Sequence, residues 1–170
     1  MTCNVNVRLA RPEEDLLVGD LLVDAFLSAF ARKLPDVVYN DDRKRHLRAV
    51  AEKRSAGVVL VAELETDIIG TVTVLPPRSP MSEAWLPNAA DLRHLAIASS
   101  HHGAGLSRCL LDAAEDLAKS WNASTMCLHV RRGAVGVARL YEKRGYQRDA
   151  SGDCDLTPFV YLEAYALPLL

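Results

Sequence analysis

The sequence has no long hydrophobic run, no excess of charge of either sign and little cysteine. Its apolar stretches are interrupted by acidic residues or are too short to cross a bilayer, and its first residues lack a signal-peptide core. The 20 basic and 22 acidic residues leave a net charge of -2, so nothing indicates a binding surface for nucleic acid or an anionic membrane. These absences favour a cytoplasmic protein that binds neither nucleic acid nor membrane.

The cysteines also argue against a metal centre. Cys3, Cys109, Cys127 and Cys154 form no Cys-x-x-Cys pair and no His and Cys spacing that would hold a metal ion. Four cysteines are too few for a disulfide scaffold in a chain of 170 residues. The sequence therefore predicts free thiols and no metal site.

Hydrophobic periodicity predicts the elements of the first half of the chain. The segment NVNVRL alternates like a half-buried strand, and an amphipathic helix follows it and ends before Pro35. DDRKRHLRAVAEKRS predicts a second, polar helix with Leu47, Val50 and Ala51 as its buried stripe. GVVLVAEL and IIGTVTVL flank a short acidic turn, which predicts an antiparallel hairpin.

The second half alternates between strands and helices. After a loop with four prolines come a strand at DLRHLAIA, a helix from about Ala104 to Lys119 and a strand at STMCLHV. A helix at AVGVARLYEKR, ended by Gly145, and a late strand at FVYLEAYAL complete the pattern. The strands on either side of the Ala104 helix predict a parallel pair in an otherwise antiparallel sheet. We expect a mixed α/β sandwich and a single domain over residues 1–170.

The segment SSHHGAGLS joins one of these strands to the following helix. The first turn of a helix offers unpaired N–H groups and the positive end of the helix dipole, so a glycine bend there is suited to bind phosphate. Arg108 stands where a dinucleotide fingerprint has its third glycine, and no Gly-Lys-Ser/Thr follows as in a P-loop. The alternative is that Gly103 and Gly105 only shape a tight turn.

Two motifs follow each other in the second half of the chain. The strand HLAIA leads into HGAGLS, and LHVRRGAVGVARLYEKRGYQR contains a Leu-Tyr-Glu-Lys segment and a Gly-aromatic end. In this order, with VRLARPEED and the LVAELETDIIGTVTV hairpin before them, they resemble the GCN5-related N-acetyltransferases (GNAT). The resemblance implies a mixed, mostly antiparallel sheet of six to seven strands, flanked by helices, with a splayed parallel pair.

The resemblance also implies a co-substrate, acetyl-CoA or another acyl-CoA. The pantetheine arm would pair with the strand end at Leu95 and Ile97, and the pyrophosphate would lie on backbone N–H groups of the glycine bend. The cofactor-binding residues it implies are Leu95, Ile97, His102, Gly103, Ala104, Gly105, Leu106, Ser107 and Ala134.

Three of these residues depart from the family pattern. His102 replaces Gln or Arg, Ser107 replaces Gly or Ala, and Ala134 replaces Asn. Since His102 donates more strongly when protonated, cofactor binding is expected to weaken above a pH of about 6.5. The alternative is that His101 and His102 are solvated loop residues.

The resemblance assigns two catalytic residues. Tyr141 matches the family's acid, which donates to the thiolate sulfur, whereas a packing role is the alternative. His129 stands where a strand glutamate acts as base in the ribosomal-protein alanine acetyltransferases, and an imidazole can take the same proton near neutral pH. A structural histidine is the alternative, and His94, Asp91 and Glu63 remain candidate bases.

The sequence thus predicts an acyl-CoA-dependent N-acyltransferase that transfers acetyl to a primary amine by direct attack. A non-catalytic acyl-CoA-binding or regulatory domain is the first alternative, and a partner-binding module with a degenerate cleft is the second. The acceptor, a small-molecule or peptide amine, is left open, and a homodimer through the C-terminal strands is a further expectation. The acidic residues that either attract a cationic amine or are simply solvated are Asp20, Asp24, Asp36, Asp41, Asp42 and Glu83.

Overall fold

The computed structural model describes residues 4–33 and 40–170. These residues form an eight-stranded sheet. Its strands are β1 (Asn6–Leu9), β2 (Val58–Leu64), β3 (Asp67–Leu75), β4 (Ala89–Ile97), β5 (Thr125–Arg131), β6 (Gln147–Arg148), β7 (Cys154–Leu156) and β8 (Val160–Pro168). The helices are α1 (Asp15–Lys33), α2 (Asp41–Arg48), α3 (Val50–Ala56), α4 (Leu106–Ser120) and α5 (Val135–Arg144).

The sheet runs in the order β1-β2-β3-β4-β5-β8-β6, with β7 beside β8. Only β4 and β5 are parallel, and α4 connects them, so the predicted βαβ unit and the mixed sheet are confirmed. The sheet has one strand more than the six to seven expected. β6 and β7 contain two and three residues, too few for an alternating pattern to be visible in the sequence.

Helices cover both faces of the sheet. Helix α4 buries Leu110, Leu111 and Ala114 against one face, where Met126 and Leu128 of β5 lie. The opposite face packs against α1, α2 and α3 through a second cluster: Val18, Leu22, Leu47, Val50, Val59, Val61 and Ala96. Across residues 4–33 and 40–170, no helix has both the length and the apolar character that crossing a membrane requires.

The predicted second helix is wrong in one respect, because it is broken into α2 and α3. Ala49, with ψ of 56°, leaves the helical conformation between them. Leu47 and Val50 are buried as predicted, but Ala51 is exposed and Lys53 takes its place in the interior. The Lys53 Nζ donates to the Leu47 carbonyl over 2.8 Å, so this lysine satisfies a carbonyl that the break leaves unpaired.

The prediction of free thiols is confirmed for two cysteines and wrong for a third. Cys127 and Cys154 are free, whereas Cys109 is in a disulfide. Spacing along the chain does not reveal which cysteines a fold brings together, and this is why the sequence missed it. Cys3 lies outside the described residues.

Candidate active site

The parallel strands β4 and β5 separate part of the way along. They are paired only from Ala89 to Asp91 of β4. Further along, the register of β4 against β3 shifts, and His94 at the shift has a φ of +54°. Such a bulge bends a strand and increases its twist. The second half of β4 therefore diverges from β5 and leaves a gap inside the sheet.

The backbone of this divergent half of β4 has polar groups that face the gap. The Ala98 N–H donates to the Ile69 carbonyl of β3 over 2.8 Å, so the backbone of Ala98 points away from β5. Because strand residues alternate, the backbone groups of Ile97 and Leu95 point toward the gap. The structure thus brings Leu95 and Ile97 to the position where a strand-like ligand can pair.

The glycine bend lies at the end of this strand and opens into free space. Gly103 and Gly105 have φ of +83° and +75°, and a Cβ on either would meet nothing within 4 Å. Gly105 is the N-cap of α4, and within the described chain no hydrogen-bond acceptor meets the backbone N–H groups of residues 103–107. Donors at the positive end of a helix dipole can hold an anion. The tight turn and the anion site are therefore compatible roles of the same glycines.

The residues that depart from the family pattern have different surroundings. His102 is exposed, and its Nε2 lies 2.9 Å from the Ile97 carbonyl, so its ring contacts the end of β4. Ala134 is buried at the start of α5, and its N–H already donates to the Arg131 carbonyl. Ser107, in the first turn of α4, is partly buried. Ala134 therefore offers no free donor to a ligand.

Tyr141 lies on α5 inside the core, with 5% of its surface exposed. Its ring packs edge to face on Tyr146, with the ring centroids 5.4 Å apart. Burial raises the pKa of Tyr141 well above its usual range, so its hydroxyl stays protonated. In the part of the chain that the structure describes, this hydroxyl has no hydrogen-bond partner and is not sealed from solvent, so a ligand can accept its hydrogen.

His129 of β5 is held by two loops. Its Nε2 lies 2.8 Å from the Gly152 carbonyl. A carbonyl only accepts, so Nε2 carries the hydrogen and Nδ1 is the basic nitrogen of the neutral ring. The Trp85 ring packs edge to face on His129 at 5.3 Å, and the Trp85 Nε1–H donates to Asp149 over 2.8 Å. We name this group, Trp85, Asp149 and Gly152 around His129, the histidine clamp.

Sequence reasoning missed the histidine clamp. A Cβ at Gly152 would lie 2.1 Å from the Trp85 ring, so only glycine permits this contact. Trp85 and Gly152 are far apart along the chain, and no local pattern joins them. A lone tryptophan in a proline-rich loop was the available signal.

The other candidate bases differ in their surroundings. Asp91 is 1% exposed, burial raises its pKa to about 6, and it accepts a hydrogen bond from the Glu83 N–H over 2.8 Å. It is paired with Cys127, so it lies near His129, two residues along β5. Glu63 forms an ion pair with Arg8 over 3.1 Å, and this contact lowers its pKa. Asp91 is therefore better suited than Glu63 to take up a proton near neutral pH.

His94 lies on the face of the sheet that packs against α1 and α2. Its ring is 6.4 Å from Phe26 and 5.7 Å from His46, centroid to centroid. Burial, and then the charges of Lys53 and Arg93, hold its pKa well below the usual value. Its Nδ1 is shut off from solvent and has no partner among the described residues.

Comparisons with known proteins agree with this geometry. The family model described as the acetyltransferase (GNAT) family matches residues 18–146. The chain is 30% identical to N-acetyltransferase 8B of Rattus norvegicus over 88 residues, 52% of this chain and 38% of that protein. It is 24% identical to N-alpha-acetyltransferase 40 of Saccharomyces cerevisiae over 172 residues, 92% of this chain and 60% of that protein. The chain thus spans less than two thirds of both relatives.

Solved structures show the same fold. The paia N-acetyltransferase from Thermoplasma acidophilum, solved in complex with coenzyme A, superimposes with a TM-score of 0.68. The match covers 96% of this chain and 98% of that chain at 16% sequence identity. At this identity the likeness concerns the fold.

Proposed function

Because the chain belongs to the acetyltransferase (GNAT) family, we propose that it transfers acetyl, or another acyl group, from acyl-CoA to a primary amine. One observation carries this proposal. An open glycine bend with unpaired N–H groups lies at the end of β4, directly beside the gap between β4 and β5. We also propose that residues 1–170 act as one domain, since the sheet includes strands from β1 to β8.

The proposed co-substrate site has two parts. The pyrophosphate is held by the backbone N–H groups of residues 103–107, and the pantetheine arm pairs with Leu95 and Ile97 as a strand would. His102 takes a different role from the one that the family pattern implies. Since its Nε2 bonds to the Ile97 carbonyl, it orders the end of β4, and the backbone donors carry the phosphate.

The proposed reaction needs a base, an acid and little else from the protein. The amine nitrogen attacks the thioester carbonyl, the C–S bond breaks, and the amine loses a proton. His129 accepts that proton at Nδ1, and Asp91 is the second candidate because its pKa of about 6 lets it act as a base at neutral pH. Tyr141, protonated and without another partner, donates to the leaving thiolate.

Two measurements test this function. Calorimetry with acetyl-CoA, free CoA and NAD should show binding of both CoA species and none of NAD. Tyr141→Phe should then abolish turnover over a broad amine panel while acetyl-CoA binding is kept, because only the hydroxyl is removed. Tyr146→Phe is the matched control. It removes a hydroxyl that donates to Glu115 over 3.1 Å, and it should keep its turnover.

The alternatives correspond to distinct outcomes. Binding of acetyl-CoA without turnover of any amine, in the unchanged protein as well, would favour a non-catalytic acyl-CoA-binding domain. Failure to bind any CoA species would favour a partner-binding module. Ala134 is the residue that makes this last outcome worth testing, since it supplies neither a side-chain donor nor a free N–H to the cofactor.

A further inference from the structure

Charged groups are segregated along β4 on the face that packs against α1, α2 and α3. Ala90 and Leu92 belong to the core on the α4 side, so Asp91 and Arg93 point to the opposite face. Asp91 lies near His129 at one end. At the other end is the bulge with His94, and the charges around it are positive.

We name as the basic cluster the cations Arg43, Lys53 and Arg93 with the imidazole rings of His46 and His94. It runs from the surface to the interior. Arg43 and His46 of α2 are exposed, His94 is partly buried beneath the His46 ring, and Lys53 is 1% exposed. The basic cluster is therefore reachable from solvent at its α2 end and closed at Lys53.

The positive charge of the basic cluster is only partly neutralised. Arg93 pairs with Glu83 over 3.2 Å, but within residues 4–33 and 40–170 neither Arg43 nor Lys53 has a carboxylate partner. Lys53 donates to a backbone carbonyl instead. Burial, and then the charges of Arg43 and Arg93, lower the pKa of Lys53 to about 8. Buried cations without an anion are costly, and His94 Nδ1 lacks a partner as well.

We propose that the basic cluster binds a carboxylate of the acceptor, so that the amine substrate is an amino acid or short peptide with a free acid group. This inference rests on the proposed function. The amine would lie at the end with Asp91 and His129, and the carboxylate at the other end, between Arg43 and Arg93 and beside His94. Residues that share a strand face are roughly 7 Å apart, so a carboxylate several bonds from the amine fits best.

The test is an acceptor series in which each acid is compared with its own carboxamide. The probes are glycine, β-alanine, 4-aminobutyrate, 5-aminopentanoate and glycylglycine, with CoA release as the readout of kcat/KM. The acid should be preferred over the amide by about tenfold for the longer members, as expected for a charge pair that is partly shielded from water. An equal rate for acid and amide throughout the series would overturn the inference and leave the proposed function intact.

Arg43→Gln is the informative variant because Arg43 is exposed on α2 and its loss should not prevent folding. It should raise KM for the acids until most of their preference over the amides is lost. Arg45→Gln is the control. It removes the same charge two residues along α2, where Arg45 pairs with Asp42 over 3.0 Å, and it should keep the preference. A preference that survives in Arg43→Gln contradicts the inference.

A binding measurement separates this inference from the proposed function. N-acetyl derivatives of the same acids and amides are titrated into the CoA-saturated protein. Acid-selective binding that Arg43→Gln abolishes supports the carboxylate site even if no acceptor is acetylated. Binding without selectivity, or no binding of any derivative together with no turnover, rejects it.

Discussion

Gly152→Ala is the substitution that tests the histidine clamp most directly. The added Cβ would lie 2.1, 2.3 and 2.6 Å from three atoms of the Trp85 ring, distances that no packed structure allows. Either the indole or the turn that contains Gly152 must move. Overpacking of this kind costs about 1–3 kcal/mol, and displacement of the indole also weakens the Trp85 hydrogen bond to Asp149.

The same movement should affect catalysis. The Gly152 carbonyl holds His129 Nε2 over 2.8 Å, so a shifted turn releases the ring and allows the other tautomer. We expect Gly152→Ala to lower kcat more than acetyl-CoA affinity, because the cofactor site lies at the glycine bend before α4. Urea unfolding gives the change in stability, and steady-state kinetics with calorimetry give the other two quantities.

A double-mutant cycle tests whether the clash with the Trp85 ring causes the loss of stability in Gly152→Ala. Trp85→Phe provides a smaller ring, so Gly152→Ala with Trp85→Phe should lose clearly less stability than the two single changes added together. Gly103→Ala is the control substitution. Its Cβ meets nothing, and its cost of about 1–2 kcal/mol comes from the left-handed backbone alone, so it should add to Trp85→Phe without coupling. The steric contact between Gly152 and Trp85 would be refuted if Gly152→Ala were as stable as the unchanged protein, or if the stability losses of the two single changes simply added in the double variant.

Three further outcomes are expected from other residues. The pKa of His94 is lowered in the folded protein, so below a pH of about 6.5 the unfolded chain binds more protons than the folded protein and the free energy of unfolding falls. Urea unfolding at a series of pH values should show a smaller fall in His94→Gln. His102→Ala should weaken acetyl-CoA binding by less than about threefold, because backbone donors hold the phosphate. A larger loss of affinity that depends on pH, measured by calorimetry, would show that His102 binds the phosphate. If Asp91 is the base, kcat/KM should rise as the pH passes about 6, and Asp91→Asn should abolish this rise. If the rise is lost only in His129→Gln, His129 is the base instead.

The parts of the fold that the sequence predicted are those with long, regular patterns. The hairpin of β2 and β3, the strand β4 and the helix α4 each have enough apolar residues in one period to define a buried face. The break at Ala49 was missed because the residues on both sides of it favour helix. What accompanies the break is a tertiary contact, since the buried Lys53 Nζ donates to the Leu47 carbonyl across it, and no local pattern predicts that contact.

The candidate site also contains a part that local sequence patterns predict and a part that depends on distant contacts. The glycine bend is local, so residues 103–107 could be located from the sequence, and the structure has open space beside Gly103 and Gly105. The bulge at His94 and the clamp on His129 depend on contacts between distant strands and loops. No spacing rule encodes such contacts, and a resemblance to a family supplies them only where the side chains match. The sequence therefore predicts His129 as a candidate base, whereas its contacts with Trp85 and Gly152 are visible only in the structure.

Composition is a poor guide to the acceptor because it does not show which charged side chains are paired with each other. Six acidic residues are candidates to attract a cationic amine. Asp36 lies outside the described residues, and three others are already in ion pairs, among them Glu83 with Arg93 over 3.2 Å. Asp20 pairs with Arg48 and Asp42 with Arg45, each over 3.0 Å, while Asp24 and Asp41 are exposed. Arg43 and Lys53, which have no carboxylate partner among the described residues, lie instead near His94 of β4. A net charge of -2 conceals this separation. In that sum, acids that already pair with arginines on exposed helices cancel cations of the basic cluster that have no carboxylate partner.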